Sequence, residues 1–164
     1  GFSDASMALI SQNDGNGRKD RVIKCYFSVL VLTLSFSLIG TLVIYTFSKP
    51  LIHIFAMGRN GYDIEFESLI YDVFKYDLFS CIPLAFNISA SSLIIGSGRT
   101  KIAFLVSFCR VYLFRIPLLK YLLSYTTLGN ISIGIVMIVS NTLTAVLSTA
   151  IAIYIILKER RKYE

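Results

Sequence analysis

Long stretches without a charged residue divide this chain of 164 residues. No Asp, Glu, Lys or Arg occurs in residues 25–48, 78–98 and 121–157. Each stretch is long enough to cross a bilayer as a helix, which takes about 20 apolar residues. A backbone in hydrocarbon must satisfy its own hydrogen bonds, and these stretches lack the two-residue alternation of barrel strands. The pattern therefore predicts an all-α integral membrane protein.

Polar, Gly-rich and Pro-containing joints separate these stretches and predict four complete membrane spans. The spans are expected over residues 22–47, 69–95, 102–125 and 131–157. Residues 1–10 are mostly small or apolar and resemble the end of a preceding helix. The chain has no initiating Met, which fits a part of a longer polypeptide. We therefore expect residues 1–164 to form one partial lobe of four spans plus that helix end.

Composition agrees with a membrane protein. Hydrophobic residues make up 55% of the chain and charged residues 16%, which would leave a soluble domain with too much apolar surface. The net charge of +6 does not indicate nucleic-acid binding, because the basic residues flank the apolar stretches instead of forming one stripe. The three cysteines have no C-x-x-C spacing, so neither a disulfide framework nor a metal site nor a cofactor is predicted.

Lys and Arg are distributed unequally between the two ends of the predicted spans. Ten of the 16 lie on one side, namely Arg18, Lys19, Arg21, Lys24, Arg99, Lys101, Lys158, Arg160, Arg161 and Lys162. Four lie on the other side, namely Lys49, Arg59, Lys75 and Lys120. By the positive-inside rule, we expect a multi-pass protein of the plasma membrane whose loops 11–21 and 96–101 and C-terminus are cytoplasmic.

Polar side chains within the spans recur at helical spacing, and those of one span share a face. The second span carries Asp77, Ser80, Asn87 and Ser91, the fourth carries Gly134, Met137, Asn141, Thr144 and Ser148, and the first carries Thr33, Ser37, Gly40 and Thr41. Two interpretations stay open, namely helix packing through small and hydrogen-bonding residues, or a polar cavity. In the second interpretation the cavity is lined by Asp77, Ser80, Asn87, Ser91, Asn141 and Thr144.

Two prolines and two arginines also lie inside the spans. Pro83 and Pro117 each remove a backbone hydrogen bond, which predicts kinks and candidate hinges. Arg110 and Arg115 lie at membrane depth, where an ionisable side chain costs several kcal/mol unless it is paired or hydrated. Five residues turn an α-helix by about 140°, so Arg110, Arg115 and Lys120 are not expected to share one face. Each arginine is predicted to face a cavity or a partner.

Three segments together resemble the multidrug and toxic compound extrusion (MATE) transporters. Residues 11–21, SQNDGNGRKDR, are similar to a Q-N-x-G-x-G-like loop of the C-terminal lobe that precedes a basic residue. Residues 96–100, GSGRT, follow Pro83 at a helix length and are similar to a G-x-G-[KR] joint. Arg110 followed by residues 115–119, RIPLL, resembles the helix with the pattern R…iPl. The chain corresponds to the end of the eighth helix and helices nine to twelve of a twelve-helix transporter.

The resemblance implies a secondary antiporter in which two six-helix lobes enclose a cavity and open alternately to the two sides, driven by Na⁺ or H⁺. The partners implied are the N-terminal lobe of the same polypeptide, membrane lipids and small organic cations. Some members carry a cation-binding acid near the position of Leu84, and Asp77 lies two turns away on the same face. The coupling ion and its ligands therefore stay open.

Two other functions stay open as well. A lipid-linked-sugar flippase of the same wider superfamily would be expected to place more basic residues around its cavity. A small four-helix membrane scaffold or interaction protein would act without a transport cavity. An enzyme is not predicted, because the sequence has no G-x-S-x-G or H-E-x-x-H motif.

Overall fold

The protein, seen in a computed structural model, is almost entirely helical. The structure describes residues 1–58, 61–62, 64–126, 129 and 131–160, with the side chains of all of these except 55–66 and 160. Arg59, the side chains at 160–162 and most of the joint at 126–130 lie outside the described residues. Their contributions to the charge asymmetry and to the loops therefore stay predictions.

The described elements follow one another closely along the chain. In order they are α1 (Phe2–Gly15), α2 (Lys19–Thr46), α3 (Ser48–Ala56), β1 (Met57–Gly58), β2 (Gly61–Tyr62), α4 (Ile64–Gly96), α5 (Thr100–Phe108), the π-helical segment π1 (Cys109–Arg115), α6 (Ile116–Tyr125) and α7 (Ile131–Arg160). Four stretches are long and apolar enough to cross a membrane, namely α2, α4, the continuous stretch from α5 to α6, and α7. The predicted all-α membrane fold with four spans is confirmed.

The connection between the first two spans contains structure that the pattern did not predict. α3 begins at Ser48, and it accommodates Pro50 because the first turn of a helix needs no backbone N–H. The Ser48 hydroxyl donates to the carbonyl of Tyr45 at 2.8 Å and holds the turn from α2 into α3. β1 and β2 then form a two-residue antiparallel pair.

The two joints that are predicted to be cytoplasmic, which we call the inner joints, end their helices in the same way. Gly17 and Gly98 have φ angles of 69° and 74°, a left-handed conformation that costs glycine little. The amide of the following Arg then donates to a carbonyl five residues earlier, at 2.9 Å after α1 and 3.0 Å after α4. These bonds are those of a Schellman cap. The repeated Gly-x-Gly-Arg is therefore explained by helix termination.

α4 lies at the centre of the bundle, because it packs against α1, α2 and α7. Gly96 permits the contact with α1, since a Cβ added there would lie 2.7 Å from Cγ2 of Ile10. The buried cluster at this end consists of Ile10, Val22, Tyr26, Ala90, Leu93 and Ala152. α2 instead turns large apolar side chains outward, such as Phe36 (63% exposed) and Leu42 (66% exposed). These side chains are available to contact lipid or helices outside this chain.

Candidate functional site

α4 and α7 make the most extensive helix contact in the described part of the chain. Gly134 of α7 lies against Tyr76 of α4, and a Cβ added to the glycine would lie 2.7 Å from Cβ of Tyr76. The buried surface of α7 carries mostly small or polar side chains, among them Ser140, Asn141, Thr144, Ala145 and Ser148. Small residues allow two membrane helices to approach closely. The structure therefore agrees with the helix-packing interpretation for the buried polar residues of α7.

A line of hydrogen bonds crosses the interface between α4 and α7, and we call it the polar chain. Asn141 Nδ2 donates to the hydroxyl of Ser80 at 3.2 Å, and Ser80 is only 3% exposed. The Ser80 hydroxyl lies 2.6 Å from the carbonyl oxygen of Asp77 and 3.1 Å from its Oδ1. Asp77 itself is exposed. The structure thus connects three of the six predicted cavity residues, from an exposed carboxylate to a buried amide.

Two buried amide oxygens have no hydrogen-bond partner among the described residues, namely Oδ1 of Asn141 and Oδ1 of Asn87. An unpaired buried polar atom costs about 1–3 kcal/mol. A water molecule, an ion or a further polar group would therefore be stabilised at either oxygen. The carboxylate of Asp77, the hydroxyl of Ser80 and Oδ1 of Asn141 are the kind of oxygen ligands that hard cations prefer.

The other three predicted cavity residues lie apart from the polar chain. Thr144 is buried on α7 and donates to the carbonyl of Ser140 at 2.7 Å. Asn87 and Ser91 are half-buried on α4, and in the described region no hydrogen bond joins them to the polar chain. Their role in lining a substrate cavity stays a prediction.

Two open grooves flank α4. One, of about 500 Å³, lies between α4 and α7 and is almost wholly apolar, with Pro83 and Phe86 in its lining. The other, of about 470 Å³, lies between α1, α2 and α4, and its lining includes Leu84, Thr33 and Ser37. The Ser37 hydroxyl oxygen is buried without a partner in the described structure. The second groove is therefore lined by two residues of the predicted polar face of α2, Thr33 and Ser37, and by the apolar Leu84.

The third span departs from a regular α-helix just before Pro117. Hydrogen bonds in π1 join residues five apart, and at its end the amide of Ile116 donates to the carbonyl of Val111. Proline has no N–H to donate and its ring clashes with the carbonyl four residues earlier, which accounts for altered winding here. Pro83 lies inside α4, which continues on both sides of it. Hinge motion at either proline stays a prediction.

Arg110 and Arg115 occupy the second and the last positions of π1. Residues five apart come close to the same side of a π-helix. The prediction that Arg110, Arg115 and Lys120 do not share one face assumed α-helical winding, and that winding is not found within π1. The Nε atoms of both side chains are buried, and neither has a hydrogen-bond partner among residues that the structure describes.

Four charged side chains form a cluster, which we call the ionic cluster, at the end of the bundle that is predicted to face the cytoplasm. Lys19 Nζ lies 2.6 Å from Asp14 Oδ1 and 3.2 Å from Glu159 Oε2, and Arg99 Nη2 lies 2.8 Å from Glu159 Oε1. These contacts join the α1–α2 connection, the α4–α5 connection and the end of α7. The sequence predicted that all four charges lie on one side of the membrane, but it did not predict the pairing.

Comparisons with known proteins agree with this architecture. The profile of the MatE family matches residues 1–122. A curated relative, the probable multidrug resistance protein NorM of Thermotoga maritima, is 25% identical over 139 residues, which is 84% of this chain and 29% of NorM.

Solved structures share the fold at low identity. The inward-facing conformation of a multidrug resistance MATE family transporter of the MOP superfamily has a TM-score of 0.89 at 13% identity, over 97% of this chain and 36% of that chain. The outward-facing conformation of such a transporter has a TM-score of 0.88 at 13% identity, over 97% and 35%. The chain thus spans about a third of the length of these relatives. Because the family profile covers most of the 164 residues, this chain belongs to the MatE family.

Proposed function

We propose that this chain is part of one lobe of a cation-coupled multidrug antiporter in the plasma membrane. The rest of the transporter, including the N-terminal lobe, would come from the same polypeptide, since the chain spans 36% of a solved relative. The substrates would be small organic cations, exported in exchange for Na⁺ or H⁺. Loops 11–21 and 96–101 and the C-terminus would face the cytoplasm.

The observation that carries this proposal is that the helices of this chain superpose equally well on an inward-facing and on an outward-facing transporter structure. The TM-score is 0.89 against the inward-facing structure and 0.88 against the outward-facing one. A lobe with the same internal arrangement in both conformations is suited to move as a rigid body against the other lobe. Membership of the MatE family supports this function over a membrane scaffold.

The polar chain is the place in this lobe that is best suited to a coupling ion. Its carboxylate, on Asp77, can take up a proton or balance the charge of Na⁺. Ser80 and the unpaired Oδ1 of Asn141 would supply neutral oxygens beside it. Leu84 cannot ligate an ion, so the acid of this site would be Asp77, whose Oδ1 lies 3.1 Å from the hydroxyl of Ser80.

Transport by the full-length polypeptide in proteoliposomes tests both parts of this proposal. Export of a fluorescent cationic dye should follow an imposed Na⁺ or H⁺ gradient in the native protein. Asp77→Asn should lose that dependence, because the amide neither titrates nor carries charge. Asp72→Asn, which changes an exposed acid five residues earlier on α4, is the matched control and should keep it. Gradient-dependent export by Asp77→Asn would remove Asp77 from the coupling site, and absence of gradient-dependent export by the native protein would overturn the transport proposal.

The predicted cavity face is tested by the same assay at Asn87. Asn87→Ala should slow dye export about tenfold, the effect of losing one hydrogen bond of the buried amide to substrate or bound water. Phe79→Ala is the control, because Phe79 is 49% exposed on α4. Expression of both variants should equal that of the native protein. Normal export by Asn87→Ala together with failure of Phe79→Ala would show that the cavity lies on another face of α4.

A further inference from the structure

Two arginines near the middle of the membrane have no described partner for their charge. Arg110 lies about 15 Å along the helix from Thr100, at a rise of about 1.5 Å per residue, and Arg115 lies about one helical turn, or roughly 5 Å, further. The hydrocarbon core is about 30 Å thick, so Arg110 is close to its centre and Arg115 is still well inside it. A guanidinium at this depth costs several kcal/mol unless it is paired or hydrated. The ion pairs found among the described residues involve neither arginine.

Asp4 lies about 16 Å along α1 from Gly15, at a depth similar to that of the arginines. Its Oδ2 pairs with the N-terminal amino group at 2.9 Å, and α1 packs on α2 and α4. Asp77 is about 28 Å along α4 from its inner end at Gly96, so it lies well beyond both arginines toward the outer side. Asp14 and Glu159 belong to the ionic cluster at the inner end. No carboxylate that the structure describes is therefore paired with Arg110 or Arg115.

The winding of π1 turns the two arginines into a pair. In an α-helix they would point about 140° apart and meet different surroundings. In π1 the hydrogen bonds run between residues five apart, so Arg115 lies about one turn beyond Arg110 on nearly the same side. Both Nε atoms are buried, which leaves the terminal N–H groups of each guanidinium as the donors for a ligand. Two guanidinium groups in this relation can bind one oxyanion through several charge-assisted hydrogen bonds.

We propose that Arg110 and Arg115 form a binding site for an oxyanion, the phosphate or carboxylate group of a small molecule or of a lipid. The irregular helix is part of the site, because only π1 brings the two side chains to one face, and such segments are frequent at functional sites. The site takes the opposite charge from the proposed substrates of the transporter. The proposal does not rest on the proposed transport function. Binding at equilibrium can be measured without an ion gradient, so the two proposals can fail separately.

Binding of inorganic phosphate and of citrate to the full-length polypeptide in phosphatidylcholine nanodiscs tests the site. Arg110→Gln and Arg115→Gln should each raise the Kd about tenfold, because each removes charge-assisted hydrogen bonds. Lys120→Gln removes an exposed cation from the same span and should leave the Kd within about twofold. An unchanged Kd in both arginine variants, or an equal rise in Lys120→Gln, would overturn the proposal.

A variant with unchanged net charge tests the alignment. Arg115→Gln combined with Ile116→Arg moves one guanidinium to the next position, where Ile116 is 49% exposed. The Kd should rise as much as in Arg115→Gln alone, and thermal unfolding in micelles checks that the variant is folded. Native affinity in this variant would show that alignment by π1 is not needed, which contradicts the proposal.

The lipid composition of the nanodiscs distinguishes the sources of the oxyanion. If the phosphate of an anionic lipid occupies the site, phosphatidylglycerol, which unlike phosphatidylcholine has a net negative charge, should raise the apparent Kd of citrate for the native protein. If the ligand is a soluble anion, the Kd should be the same in both kinds of nanodisc. Absence of binding by either probe in either membrane, with loss of stability in both arginine variants, would identify an acidic side chain elsewhere in the polypeptide as the partner and would overturn the proposal.

Discussion

At the scale of single residues, glycines determine how closely these helices approach. A Cβ at Gly134 would lie 2.7 Å from Cβ of Tyr76, and one at Gly96 would lie 2.7 Å from Cγ2 of Ile10. Gly40 also lies inside a helix, yet a Cβ there would meet no atom within 4 Å. The three are alike in sequence as glycines of apolar helices. Only packing distinguishes the two that are required from the one that is not.

Replacing Gly134 by Ala is expected to destabilise the protein by about 1–3 kcal/mol, because Cβ of Tyr76 can move away only with the backbone of α4. Gly40→Ala is the matched control and should be neutral or stabilising by up to about 1 kcal/mol, since Ala is the better helix former. Unfolding of the purified protein in detergent micelles measures both. Equal stability of the two variants would contradict the close approach of α4 and α7.

At the scale of elements, the hydrophobic pattern located the spans. Prolines then changed the winding or the ends of individual helices, and ion pairs joined helices to one another. Pro117 follows a π-helical segment in the third span, where the sequence predicted a kink but no change of winding. Pro50 proved compatible with a helix, because it lies in the first turn of α3. The ionic cluster joins two connections to the end of α7, so it ties elements that are far apart in sequence.

Glu159 contacts both Lys19 and Arg99 in the ionic cluster, and removing its charge is expected to destabilise the protein. Glu159→Gln should lower the free energy of unfolding by about 1 kcal/mol, since the side chains of this cluster are only partly buried. The difference from the native protein should shrink in about 1 M salt, which screens partly exposed charges. Asp72→Asn, at an exposed acid without an ion pair in the described structure, should change stability by less than about 0.5 kcal/mol.

Denaturant unfolding at low and high salt measures these differences. A destabilisation of Glu159→Gln that does not depend on salt would contradict an electrostatic role. A double-mutant cycle with Lys19→Gln then isolates the contact of 3.2 Å between these two side chains.

At the scale of the whole molecule, the distribution of charge and of exposed apolar side chains defines a multi-pass membrane protein. Four stretches can span the bilayer, and α2 turns most of its large apolar side chains away from the bundle. Packing is densest around α4, which contacts α1, α2 and α7. The bundle therefore has a buried centre of small polar contacts inside a shell suited to lipid.

The sidedness predicted from ten Lys and Arg against four is tested by labelling single cysteines in a variant without the native ones. A membrane-impermeant thiol reagent should reach Asn16→Cys and Ser97→Cys only from the cytoplasmic side. It should reach Gly61→Cys only from outside. Labelling of Asn16→Cys and Gly61→Cys from the same side would contradict the crossing of the membrane by α2.

The sequence by itself determined the fold class and the number of spans. Both depend on the transfer free energy of each stretch between water and hydrocarbon, which is a sum over neighbouring residues. The two Gly-x-Gly-Arg joints could also be interpreted locally, because a left-handed glycine after a helix needs no distant partner. Asp77, Ser80 and Asn141 were selected from their helical spacing, and the structure joins them.

Only the tertiary structure decided which polar residues meet. A polar face at helical spacing is the same pattern whether it packs on a helix or lines a cavity, so Ser80 and Asn87 looked equivalent. Packing buried Ser80 against Asn141 and left Oδ1 of Asn87 without a described partner. The alignment of Arg110 with Arg115 likewise depends on winding that an α-helical count of residues cannot contain. These features arise from contacts and backbone geometry that are settled when the helices pack together.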